Sequence, residues 1–504
     1  MFSKLFSSAV IGLEAQLIEV EVDLQRGLHS FSIVGLPDKA VEESKERVSS
    51  ALKNTGLKPP NHHNQRITVN LAPADLKKQG PAYDLPIAVG FALATDQIKP
   101  FETKDKIFVG ELALDGGLRH TDAILPIALL AQKEKKTLFL PKSNQSEANL
   151  VRGLKFVPLD AFKNLLNLDD LDILEGEGIN FQTKEKVFSG EFHLGMIRGQ
   201  EQIKRALLVA ASGGHNILMN GSPGSGKTLV ARALPSILPP LNEKEILEVT
   251  KIYSIAGLLK ENQSFIVERP FRNPHHSASL VALVGGGTYP RPGEISLAHR
   301  GVLFLDEFPE FPRSIMEALR QSLEDGAVTV SRARETINFP ARFTLVAAQN
   351  PCPCGYLGDN EKECICGTTQ IAKYQKRVSG PILDRIDIHL DVPRVEFKKL
   401  LDDEENDNTE EIRSRVLKAR NVQKERFSKN IFTNAEMGVE EIKKFCRIDS
   451  YSKTILERAG ERLGLSARAY HKILKLARTI ADLDNADQIS SEHLAEAIQY
   501  RSKK

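Results

Sequence analysis

The chain has 504 residues, 41% hydrophobic and 27% charged, which suits a soluble globular protein of about three domains. Its 68 basic residues are matched by 66 acidic ones, so any nucleic-acid contact must come from a local basic feature and not from a global field. No apolar run reaches the length of a membrane span, and the opening residues lack the apolar stretch of an export signal. Five cysteines, four of them between 352 and 366, do not make a disulfide framework, and a cytosolic protein is expected.

In chain order, residues 1–168 read as an α+β unit. Alternation or apolar runs predict strands over Leu17–Leu24, His29–Leu36, Arg66–Leu71, Ile107–Leu114 and Leu138–Leu140. Helices are expected from Pro37-Asp38 to about Asn54, over Leu85–Ala94 and over Ile124–Lys135. The acidic stretch from Asp169 to Glu177 opens a linker over residues 169–189. Residues 190–395 carry the nucleotide motifs. Residues 396–504 open with the charge run Asp402–Asp407, read as a solvated loop, and are otherwise helical. Ser466 caps a helix through Leu483, and Ser490 or Ser491 caps the last one through Tyr500.

The second region begins with its strongest motif. The apolar run Ile217-Leu218-Met219 leads into Gly221-Ser222-Pro223-Gly224-Ser225-Gly226-Lys227-Thr228, and a helical pattern comes next. Strand, glycine-rich loop and helix is the context of a phosphate-binding loop. Glycines let backbone N–H groups turn toward phosphate oxygens, and the helix start adds partial positive charge. Lys227 would reach the β- and γ-phosphates, and the Thr228 hydroxyl would ligate Mg²⁺. Further on, the apolar run Val302–Leu305 ends in Asp306-Glu307. Asp306 is placed to hold the Mg²⁺ shell, and Glu307 to polarise the attacking water as general base. A third apolar run, Phe343–Ala348, ends in Gln349-Asn350, where the Asn is either a turn former or an amide placed to orient that water.

Between the last two strands, β-branched residues flank a basic tip in Val328–Phe339, which predicts a hairpin. Another glycine- and proline-rich excursion spans Leu283–Gly293. Arg332 and Arg334 either contact DNA backbone phosphates from a ring's central pore or sit on a solvated surface hairpin. Two readings also stand for Cys352, Cys354, Cys364 and Cys366: a tetrahedral structural Zn²⁺ site, or free thiols in a loop. Cys446, beside Phe445, reads as core. His275 and His276 read as a hydrogen-bonded structural pair.

Three longer stretches carry a family resemblance: Arg269–His276, Pro292–Phe308 and Asn350–Gly355, with Gly380–Asp387 and Leu465–His471 behind them. They resemble the magnesium-chelatase-like AAA+ ATPases, and within them the ComM/YifB group, essentially end to end. The resemblance implies an α/β P-loop AAA+ core with a parallel sheet and a C-terminal helical lid. It implies ATP and Mg²⁺ as cofactors, a homo-hexamer, no membrane, and a helicase-type motor acting on single-stranded or branched DNA. Branch migration during recombination, as in natural transformation, would be the outcome. By position, Arg385 would be an arginine finger for a neighbouring subunit and Arg468 the second sensor on the lid, acting in its own subunit or in a neighbour's. The N-terminal unit resembles the Lon protease fold, but Ala82 or Tyr83 takes the nucleophile's place, and a non-proteolytic domain is expected. The alternative function is a chelatase-type motor subunit that remodels a metal-insertion partner.

Overall fold

Along Glu14–Arg26, buried Ile18, Val20, Val22 and Leu24 alternate with outward-facing neighbours, and this alternation builds the first sheet of the computed structural model. Phe2–Ile11 pairs antiparallel with that strand over its whole length, Gln65–Ala72 pairs on the other side, and Ser30–Val34 joins the edge in parallel. The helix Asp84–Ala94 is almost wholly apolar and buried. A Cβ at Gly90 would lie 2.7 Å from Val22 and 2.8 Å from Leu5, so glycine is what lets this helix lie flat on the sheet. A second sheet runs Leu174–Glu175, Lys155–Leu159, Thr137–Pro141, Lys106–Phe108, parallel except at its first pair.

The structure describes all residues except 63, 179–190, 260–264, 288–289, 332–335, 360, 395–408, 428–430 and 502–504. Two compact units emerge, Met1–Glu185 with Glu243–Ile266, and Lys186–Asn242 with Val267–Lys504. The segment 243–266 therefore belongs to the first unit although it interrupts the second in sequence. Its helix Glu243–Ala256 presents Ser254, whose hydroxyl donates to the buried Glu147 at 2.7 Å, and Ala123 N–H donates to Ser254 O at 3.2 Å. Leu247 and Phe265 pack on the apolar cluster around Ile124, Leu138 and Phe156.

Local departures from the sequence expectations have identifiable causes. The helix expected to Asn54 breaks at Glu43 into Lys39–Glu42, capped by Asp38, and Ser44–Asn54. The strand expected over Ile107–Leu114 splits into Lys106–Phe108 and Glu111–Leu112, because Gly110 N–H is diverted to Ala82 O. Within the stretch read as linker, Leu174 packs half-buried on the same apolar cluster, and Leu174–Glu175 adds an edge strand.

The second unit is built on five parallel strands in the order Phe271–Arg272, Val302–Leu305, Thr344–Gln349, Ile217–Asn220, Ile388–Asp391. Their apolar runs are near-continuous, as a sheet covered on both faces requires. Ala327–Ser331 and Thr336–Pro340 form the expected hairpin arms, while the tip with Arg332 and Arg334 lies outside the described residues. The Asp402–Asp407 run also lies outside them. Ser466 caps Ala467–Leu483 and Ser490 caps Ser491–Gln499, each side chain accepting from the third N–H beyond it. These helices and Glu201–Gly213 share one core with the sheet, in which Ile473, Leu476, Ile480 and Leu494 meet Ile217, Val346 and Ile388. Cys446 is buried in that core.

A charged network joins the sheet to the helix Ala467–Leu483. Asp387 lies 2.6 Å from Lys472 Nζ and 3.3 Å from His215 Nδ1, and it accepts from Asn216 N–H at 3.2 Å. Burial alone would raise its pKa, but the Lys472 ammonium and His215 override it and hold the carboxylate far below its usual range. A depressed carboxylate stabilises the fold above its ordinary pKa of about 3.9, and that contribution fades as the pH falls toward the folded value. Asp387→Asn should strand the Lys472 charge and cost about 3–5 kcal/mol at pH 7 in urea unfolding, with a smaller gap at pH 3. A loss under about 1 kcal/mol would remove this network from the core of the fold.

Candidate nucleotide site

The phosphate-loop sequence starts where Ile217–Asn220 leaves the sheet. A Cβ at Gly221 would meet Val392 O at 2.4 Å, so only glycine lets the chain pass the neighbouring strand end. Gly224 and Gly226 take φ of +78° and +89°, the left-handed region open to glycine. Lys227 opens the helix Lys227–Ala233 and turns its ammonium back over the loop. Its Nζ donates to Gly221 O at 2.6 Å, to Ser222 O at 2.9 Å and to Asn350 Oδ1 at 3.3 Å. Burial pulls the Lys227 pKa below its ordinary value, and the Asp306 carboxylate opposes that pull. The third strand's terminal amide is thereby joined to the phosphate-loop lysine.

The acidic pair completes the cluster. Val302–Leu305 is wholly buried, and Asp306 stands at its end. Asp306 Oδ2 accepts from the Thr228 hydroxyl at 3.1 Å, and Oδ1 accepts from Glu307 N–H at 2.9 Å. The Thr228–Asp306 pair is the kind of oxygen donor set that Mg²⁺ takes, and the ion would there neutralise phosphate charge. Glu307 adopts φ +50°, a left-handed conformation that costs a non-glycine residue about 1–3 kcal/mol.

The two histidines, expected to be a hydrogen-bonded structural pair, each have a polar partner, and the partners differ. Their rings are 4.1 Å apart. His275 Nδ1 lies 2.7 Å from Ser277 Oγ, a local turn contact. His276 Nδ1 instead lies 2.8 Å from Glu307 Oε2, with its ring edge-on to Phe311. His276 therefore fixes the carboxylate proposed as general base, a role the sequence motif alone did not carry.

Arg385 and Arg468 come from different elements and meet at one carboxylate. Arg385 is 7% exposed and is held by Pro381 O and by Glu324 of the helix Arg313–Asp325. Arg468 lies 3.6 Å from the same Glu324. Burial first, then the like charges of Arg468 and Arg320, pull the Arg385 pKa down.

The four cysteines form a tight cluster. Sγ of Cys352 is 3.4 Å from that of Cys354 and 3.6 Å from that of Cys364, Cys354 and Cys364 are 3.6 Å apart, and all four sulfurs lie within 4.8 Å of one another. Tetrahedral zinc with Zn–S of about 2.3 Å needs sulfurs about 3.8 Å apart, so the donor set fits such an ion. The thiols share their charge unequally. Chiefly through the Tyr356 backbone N–H the Cys354 thiol is held down to about 6, while at Cys364 a Cys366 backbone N–H is outweighed by burial and the neighbouring sulfurs of Cys352 and Cys354, which push that thiol up to about 12.

In the first unit, Ala82 offers no hydroxyl, and Tyr83 is 1% exposed with its phenol pushed far up by burial. Among the described residues no helix is long and apolar enough to cross a membrane.

Comparison with known proteins extends these findings. The family model described as magnesium chelatase, subunit ChlI, matches residues 193–400, a second ChlI model of Mg-chelatase matches 20–144, and the ChlI C-terminal model matches 406–501. Competence protein ComM of Haemophilus influenzae is 45% identical over 99% of this chain and 97% of its own length. YifB of Escherichia coli, an uncharacterized protein, is 41% identical over 98% and 96%. The magnesium-chelatase 38 kDa subunit of Cereibacter sphaeroides is 28% identical over 32% of this chain and 53% of its own length. With the phosphate loop, acidic strand end and amide assembled on a parallel sheet, and with relatives matching from end to end, the chain belongs to the ComM/YifB family of magnesium-chelatase-like proteins.

Proposed function

We propose that this protein is an ATP-hydrolysing hexameric motor that moves DNA strands in the cytoplasm. The observation that carries the reading is the meeting of Lys227, Thr228, Asp306, Glu307 and Asn350 at one edge of one sheet. Loop N–H groups and Lys227 bind the β- and γ-phosphates, and Thr228 and Asp306 hold Mg²⁺. Glu307, steadied by His276, takes a proton from the attacking water, which Asn350 orients. Arg385 completes the pocket of a neighbouring copy, and Arg468 acts as the second sensor from a C-terminal lid over 396–504. The N-terminal residues 1–168 serve as a Lon-like, non-proteolytic module, consistent with Ala82 at the nucleophile's place and a buried Tyr83. The four cysteines hold a structural zinc ion.

Arg332 and Arg334, which lie in sequence between the two hairpin arms and outside the described residues, contact DNA backbone phosphates. The near-full-length similarity to a competence protein supports placing this work in natural transformation, as branch migration during recombination. A chelatase-type motor acting on a metal-insertion partner is the second reading, favoured by the matching family models. The chelatase subunit's resemblance covers a third of the chain only, which argues against it. ATP turnover that rises with branched DNA decides for the first.

Lys227→Ala should abolish binding of a fluorescent ATP analogue, whereas Glu307→Gln should bind it and turn over about 10²–10⁴ times more slowly. Equal analogue binding by Lys227→Ala would dismiss the phosphate-loop assignment. Arg385→Ala should keep analogue affinity and lose about 10³-fold or more of turnover in the assembled protein; unchanged turnover removes its finger role. In Arg332→Ala/Arg334→Ala, ATP turnover without DNA should persist while stimulation by DNA falls and its salt dependence flattens. Equal losses in both would exclude a DNA-contacting tip.

A further inference from the structure

The loop that carries the four cysteines lies against the phosphate loop. It leaves the sheet at Asn350, the residue that accepts from Lys227 Nζ, and ends at the helix Thr368–Gln375. Besides Asn350, two described residues of this loop approach the phosphate loop, Gly355 and Asp359, both between Cys354 and Cys364. Gly355, at φ +86°, is so close to Pro223 that a Cβ would sit 2.6 Å from the ring. The Asp359 side chain is 2% exposed and accepts from the Glu361 and Lys362 backbone N–H groups at 2.9 and 3.1 Å, and its pKa is held below the usual carboxylate range, chiefly by the Ser222 hydroxyl beside it. Arg394 closes the arrangement. Its Nε is 3.2 Å from Asp359, its Nη2 donates to Pro223 O at 3.5 Å, and its guanidinium lies 5.6 Å from the centre of the Tyr356 ring.

We propose that a soft divalent cation, zinc by its ligand set, bound to Cys352, Cys354, Cys364 and Cys366 clamps the phosphate loop from outside, so that nucleotide affinity depends on that metal. The inference rests on the proposed zinc and ATP sites. Its physical basis is loop closure. Four thiolates on one ion tie together both ends of the segment 355–363, which removes the freedom that segment would otherwise recover. Tied in this way, Gly355 and Asp359 hold Pro223 and Ser222 in place, and the same ion anchors the chain just beyond Asn350. Without the metal the segment loosens, and the phosphate loop loses one wall.

The test uses the full chain as purified. Metal analysis should find one zinc per chain. A fluorescent ATP analogue is then titrated, with magnesium in excess, into protein as isolated, protein stripped with a mercurial reagent and chelator, and stripped protein given zinc back. Stripping should weaken affinity at least tenfold, and zinc alone should restore it. Cys364→Ser and Cys366→Ser should lose the metal and the affinity together, with unfolding monitored alongside. Asp359→Asn and Arg394→Ala keep all four thiols. They should retain one zinc per chain yet bind the analogue about tenfold more weakly, a result general misfolding would not give. Folded protein without zinc overturns the metal site and the clamp together. Zinc present, with affinity unchanged by stripping and by Asp359→Asn, overturns the clamp and leaves both underlying readings standing. Protein that holds zinc but never binds the analogue overturns the ATP-site reading, and the clamp falls with it.

Discussion

Parallel register is the constraint on which the candidate site depends. Ile217–Asn220 is the shared neighbour of Thr344–Gln349 and Ile388–Asp391, with Asn220 opposite both Gln349 and Asp391. Val302–Leu305 pairs in parallel on the far side of Thr344–Gln349, Leu305 opposite Ala347. All these strands end on the same edge, so the glycine loop, Asp306-Glu307 and Asn350 are delivered to one place. In a parallel sheet the groups after neighbouring strands converge without any long side chain having to reach for them, and ligands of open α/β sheets bind at that edge. A one-residue slip of Thr344–Gln349 would exchange its two buried faces, misfitting the different residues packed on each, and carry Asn350 away from Lys227.

Within that frame, side-chain positions are set by backbone geometry that favours function over local comfort. Glu307 sits at a positive φ, held there by the hydrogen bond from its own N–H to Asp306 and by the adjoining turn Phe308–Glu310. The left-handed residue aims its carboxylate at His276, which enters from the segment after the edge strand Phe271–Arg272. The Thr228–Asp306 and Lys227–Asn350 bonds cross between strands, so the loop, the acid and the amide form one connected polar unit. Displacement of any member is felt by the others.

Much of this was legible in the sequence because its determinants are local. Glycines at fixed spacing specify the loop, unbroken apolar runs specify buried parallel strands, and Ser466 and Ser490 announce helices through a single capping bond each. The features that escaped depend on contacts between distant residues. The strand Phe2–Ile11 buries Ser3, Ser7 and Ser8 beside Leu5, which hides its alternation. Glu243–Ala256 has an ordinary amphipathic pattern, and nothing in it says that its apolar face belongs to the first unit; Ser254 meeting Glu147 does. His276 and Glu307 are separated by a long stretch of chain, so their pairing has no sequence signal beyond the presence of both types. Cysteine spacing, by contrast, was enough to mark four candidate ligands but not to place their loop on Pro223 and Ser222.

The arginine pair obeys the same logic of distant convergence, with charge as the deciding quantity. Arg385, nearly buried, and Arg468, more than half exposed, share the single carboxylate of Glu324 while Arg320 stands near enough to disfavour the Arg385 charge. Arg320 pairs with Glu317, 3.5 Å away on the same helix, and Glu317 also supports the Arg385 charge, so three guanidinium groups are set against two carboxylates. A cluster of this kind holds its cations together only as long as the carboxylate stays between them, and it is stabilised by any further anion that can approach the exposed side. Under the proposed reading that anion is the triphosphate of an adjacent copy, whose oxygens would pair with the guanidinium charge that the carboxylates leave unbalanced.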